Sequence, residues 1–97
     1  MAKLVIVTFD LTGAKSSRYE VVRDGLAEIG LHTYVPKNGR RVRLPYNTVA
    51  GKIVLSSTAA VRDRLAKGVK ALFRQHHLRG RVFIAVGGNW AWAKRVT

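Results

Sequence analysis

The chain has 97 residues, of which 18 are Lys or Arg and 5 are Asp or Glu, giving a formal charge of +13 and a sequence pI near 11.4. That length suits one domain spanning 1–97 with a single core; the 47% apolar content argues against a disordered chain, and the lack of cysteine excludes a disulfide framework and a thiolate metal site. A charge this unbalanced repels itself unless something anionic compensates it, so nucleic acid is the expected partner, ahead of a basic surface kept for solubility.

At the N-terminus, MAKLVIVTFD sets Lys3 and Asp10 around an apolar run too short for a signal peptide or a membrane span, which points to the cytoplasm. Residues 4–9, LVIVTF, predict a strand well inside a sheet, ended by Asp10. Ser17 and Glu20 have capping-box spacing. The helix they would open carries Tyr19, Val22, Leu26 and Ile29 on one stripe and stops at Gly30. Residues 31–36 predict a short strand, and Asn38-Gly39 is a two-residue hairpin signal, because both positions of a type I′ turn need positive φ.

The return arm, residues 40–44, alternates Arg41 and Arg43 with Val42 and Leu44, so the apolar pair can lie on the body while the arginines face out. Pro45 interrupts pairing. Residues 48–55 predict the next strand, with Gly51 at a bulge. Ser57 or Thr58 then caps a second helix running to about His77, with Val61, Leu65, Val69, Leu72 and Phe73 on one side. Asp63, Lys67, Lys70, Arg74 and His77 fall on the other. Gly80 stops it, and residues 81–86, RVFIAV, predict a last core strand. The order β-α-β-β-α-β is the ferredoxin-like plan: an α+β fold with a four-stranded antiparallel sheet, two helices on one face and an extra basic hairpin in the middle connection.

Taken together, VIVTFDL with its terminal aspartate, the helix SSRYEVVRDGLAEIG and a closing strand that runs through glycines into NWAW resemble the small CRISPR-adaptation proteins that partner the integrase, and the related virulence-associated protein D ribonucleases. The resemblance is topological over nearly the whole chain; its pointed features are Asp10 and the strand-glycine-tryptophan ending. It implies a homodimer with the two sheets facing each other, a tail strand crossing between subunits, and nucleic acid on basic surfaces. In some relatives the aspartate matching Asp10, with its symmetry mate, holds a divalent metal, Mg or Mn, for phosphodiester hydrolysis. In others the protein is a scaffold.

The residues themselves leave the chemistry open. Asp10 is a candidate metal ligand and catalytic group of an endonuclease, but a strand-end aspartate also accepts amides from a following turn, here residues 11–13. Glu20, Asp24, Glu28 and Asp63 all fall in helices. His76 is read as a packed residue or a helix C-terminal cation, His77 as outward-facing and His32 as the start of a strand. No Ser-His-Asp set, HExxH or phosphate-binding glycine loop is present.

Trp90 and Trp92 share a face of an extended tail, suited to packing on a dimer mate or, beside Lys94 and Arg95, to stacking on unpaired bases. Lys37, Arg40, Arg41 and Arg43, with Tyr46 after them, give a ribbon able to track phosphates of DNA or RNA, supported by Lys67, Lys70 and Arg74 of the second helix. A basic interaction or inhibitor protein of a mobile element, docking on an acidic protein, is the non-nucleic alternative. Neither helix suits a membrane surface: the first has a mixed-charge polar face, and the second has ordinary core residues opposite its cations.

Overall fold

The computed structural model describes residues 2–45, 47–54 and 57–88. In chain order these form β1 (Ala2–Leu11), α1 (Ser16–Glu28), β2 (Tyr34–Lys37), β3 (Arg40–Arg43), β4 (Thr48–Val54), α2 (Thr58–Gln75) and β5 (Gly80–Gly87). The architecture is α+β: a three-stranded antiparallel sheet ordered β4-β1-β5, with β2 and β3 in a separate two-stranded ladder. Among the described residues no helix is long and apolar enough to cross a membrane.

Alternation along β1 decides which face of the sheet becomes the core. Val5, Val7, Phe9 and Leu11 are buried, whereas Ile6, Thr8 and Asp10 between them are exposed. The buried set packs with Val22 and Leu26 of α1 and with Val61, Leu65, Val69 and Phe73 of α2, so both helices cover the same face. Burying each of these large apolar side chains contributes about 1.5–3 kcal/mol, which fixes the register of β1 against a one-residue slip. The opposite face is open, with Phe83 66% and Val54 69% exposed.

The fourth strand expected over residues 31–36 is reduced to one bridge. His32 and Ala50 exchange N–H···O bonds of 2.8 and 2.9 Å at the outer edge of β4, and the chain then turns away to pair Tyr34–Lys37 with Arg43–Arg40 instead. Pro36 has no N–H to extend a ladder on β4. Gly51 is not at a bulge: the β1–β4 register runs unbroken from Ala2↔Val54 to Thr8↔Thr48. A Cβ at Gly51 would stand 2.0 Å from the Gly30 carbonyl oxygen, so the glycine admits the end of α1 onto the strand.

The helix ends show which local signals hold. α1 begins at Ser16 with Lys15 as N-cap and no side-chain cap, so the Ser17–Glu20 capping box does not form; Ser17 already lies inside the first turn. Ser57 does cap α2, accepting from the Ala60 amide at 3.0 Å. α1 closes as a Schellman motif on Gly30 (φ 93°), with the Leu31 amide bonding to the Leu26 carbonyl and both leucines buried. α2 closes the same way before Gly80: His77 takes the left-handed position at φ 54°, and the Leu78 amide bonds to the Phe73 carbonyl. Ile29, assigned to the apolar stripe, is the C-cap residue of α1 and is 47% exposed.

Candidate nucleic-acid interface

The basic ribbon is built from the turn outward. Asn38 and Gly39 both have positive φ, at 51° and 76°, and set the register Lys37↔Arg40, Pro36↔Arg41, Val35↔Val42 and Tyr34↔Arg43. Directly opposed residues share a face, so Val35, which is buried, and Val42 point one way while Tyr34, Pro36, Arg41 and Arg43 point the other. Lys37, Arg40, Arg41 and Arg43 are all exposed. The guanidinium groups of the three arginines form no hydrogen bond or ion pair with any described residue. Arg41 Cζ lies 4.4 Å from the centre of the Tyr34 ring, and Tyr34 stacks in turn on His32, at 5.3 Å between centroids and 21° between planes.

The ribbon borders the open side of the sheet. His32, Tyr34 and Pro36 line a cavity of about 350 Å³ together with Leu4, Ala50 and Lys52, which belong to the open face of β1 and β4. Arg81 lies on that face as well, directly opposite Asp10 in the β1–β5 register. Lys67, Lys70 and Arg74 are exposed on α2 away from its buried stripe, and Lys70 and Arg74 border a cavity of about 610 Å³ between α2 and β5. The ribbon hangs beyond β4 and α2 packs along β5, at the other edge. The two groups of cations that the sequence assigns to one binding surface therefore stand on opposite layers and opposite edges of a slab measuring 36 × 36 × 20 Å.

Asp10 lies within β1 rather than ending it, on the open face. It accepts no amide from residues 11–13: the Leu11 amide donates to the Tyr19 hydroxyl at 3.0 Å and the Thr12 amide to the Arg79 carbonyl at 2.8 Å. Tyr19, stacked on Phe9, thus finishes the strand end. No group of three or more His, Cys, Asp or Glu side chains comes together among the described residues. A Mg or Mn ion keeps several waters and can be held by one or two carboxylates; one chain supplies Asp10, which stands directly opposite Arg81 in the β1–β5 register.

His76 is half-buried at the C-cap of α2, where its carbonyl accepts from the Arg18 guanidinium, and His77 is exposed. Asp63 pairs with Arg62 at 3.0 Å on the surface of α2. Trp90, Trp92 and Tyr46 lie outside the described residues. The His32–Tyr34–Arg41 column and the placement of Lys52 and Arg81 go beyond the sequence assignment. A usable signal for the column was the turn itself: the Asn38-Gly39 register puts Tyr34 and Arg41 on one face, and His32 is two residues before Tyr34.

Comparison of the chain with family models, curated proteins and solved structures gives no match.

Proposed function

We propose that this chain is a nucleic-acid-binding protein that grips the phosphate backbone of DNA or RNA through the β2–β3 ribbon. The observation that carries this reading is that Arg40, Arg41 and Arg43 project from one short ribbon with their guanidinium groups unpaired among the described residues, in a chain of formal charge +13. Here the cations stand where phosphates can reach them, and each contact releases counterions from the polyanion.

The sheet order β4-β1-β5, with the His32 bridge marking the place of a fourth strand beside β4 and both helices on one face, supports reading the fold as a ferredoxin-like plan with a shortened edge strand and the basic ribbon as an extra hairpin. The open face, with Phe83, Val54 and Ile6 exposed, supports a homodimer with the two sheets apposed, as the resemblance to the small CRISPR-adaptation proteins implies. Lys67, Lys70 and Arg74 then form a second, separate basic surface rather than part of the ribbon's grip.

Titration of labelled DNA and RNA in dilute buffer tests this. Replacing Arg40, Arg41 and Arg43 by alanine together weakens binding at least tenfold, whereas replacing Lys67, Lys70 and Arg74 weakens it less. Equal affinities for the native chain and the ribbon variant, or no binding to any polynucleotide, contradict the proposal. Capture of an acidic protein that survives nuclease treatment would favour the interaction-protein alternative. Magnesium-dependent cleavage lost in Asp10→Asn at unchanged binding would make Asp10 an enzymatic centre.

A further inference from the structure

The ribbon carries more than charge. We infer that the column His32–Tyr34–Arg41 is a stacking site for an unpaired base, so that the polynucleotide bound by this chain is single-stranded; this rests on the proposed nucleic-acid reading and deepens it.

The argument begins with the ring. Tyr34 is half-buried at the start of β2, with His32 two residues before it on the same strand face and Arg41 reaching it diagonally from β3, opposite Pro36. His32 therefore approaches the ring from one side along the strand and Arg41 from the other. The ring–ring contact is close to parallel at 21°, and the guanidinium lies 4.4 Å over the ring centre. An exposed cation–π contact is weaker than the stacking of a base on an aromatic ring. An incoming base thus displaces Arg41 from the ring, and the freed guanidinium turns to the adjoining phosphate. The exchange leaves no charge without a partner.

The space beside the column fits the same ligand. His32 and Tyr34 line the cavity of about 350 Å³ whose other walls include Leu4, Pro36 and Lys52. That volume lies toward the lower end of ligand pockets, about 300–1,000 Å³, and the lining combines apolar groups with the His32 and Tyr34 rings and Lys52. A base and its sugar can be taken in there only when the base is unstacked and unpaired. A duplex offers neither; its phosphates would meet Arg40 and Arg43 without using the column.

The test uses the full chain with two probes of equal length at one salt concentration: a labelled single strand bearing 2-aminopurine, whose fluorescence is quenched on stacking, and the matching duplex. The native chain is expected to bind the single strand about tenfold more tightly, with quenching. Tyr34→Leu, which keeps apolar bulk and loses the ring, lowers single-strand affinity about five- to a hundredfold and abolishes quenching, with duplex affinity unchanged. Tyr34→Phe retains both. His32→Ala weakens the single strand in the same direction and serves if Tyr34→Leu does not fold. Equal affinity for both probes, or undiminished quenching in Tyr34→Leu and His32→Ala, overturns the stacking site while leaving the phosphate grip intact. Failure of the native chain to bind either probe overturns both.

Discussion

At the scale of single residues, Gly51 shows how one missing Cβ places the candidate interface. β4 accepts the end of α1 so closely that an added Cβ would lie 2.0 Å from the Gly30 oxygen and 3.2 Å from Leu31 Cδ2. The chain leaves that contact directly for His32 and the ribbon, so the glycine sets where the column stands over the sheet. Gly51→Ala is expected to destabilise the fold by about 1–3 kcal/mol, the range for overpacking a filled site, read as a lower denaturant midpoint at unchanged slope. A midpoint within error of the native one would show that the helix end yields without cost.

Among elements, helix capping separates two serines that look alike in the sequence. Ser57→Ala removes a hydrogen bond to the Ala60 amide and should cost about 0.5–2 kcal/mol, whereas Ser17→Ala removes no cap and should stay within about 0.5 kcal/mol of native stability. Thermal melts of the two variants give the comparison directly. The same contrast explains what was legible. The buried stripe of α2, Val61, Leu65, Val69 and Phe73, and the alternation of β1 read out plainly, because burial imposes a period on apolar residues. Capping did not read out at α1, since two adjacent serines offer alternative starts and helix entry here is set by the turn after β1, where the Arg18 amide bonds to the Lys15 carbonyl. The stop of α2 was misassigned to Gly80 because His77, although a glycine lies near, takes the left-handed position, which histidine tolerates better than most side chains. The fourth strand fell short because residues 34–37 pair with β3, the hairpin that Asn38-Gly39 signals, and nothing local says that this pairing takes them off β4.

For the whole molecule, the distribution of charge and apolar surface matters more than either total. The ribbon and the outer face of α2 were both assigned to nucleic acid, the one as grip and the other in support, and the fold puts a core and a sheet between them. Sequence periodicity identifies which residues are exposed on each element and is silent on which elements stand side by side. The open sheet face is where Phe83, Ile6 and Val54 are exposed beside Lys52 and Arg81, so a second copy laid there would cover apolar groups. On that proposal Phe83→Glu shifts the chain from dimer to monomer in sedimentation equilibrium; an unaltered mass in a dimeric native protein would place the contact elsewhere.

The phosphate grip is measured most directly by the dependence of binding on salt. Affinity for a labelled single strand, followed from low to moderate ionic strength, should fall along a straight line in log K against log salt. Removal of Arg40, Arg41 and Arg43 should flatten its slope by up to about 2.1, or about 0.7 for each phosphate of the single strand that is no longer neutralised. Parallel lines for the two proteins would mean that the ribbon's arginines touch no phosphate, and that the charge serves some other surface.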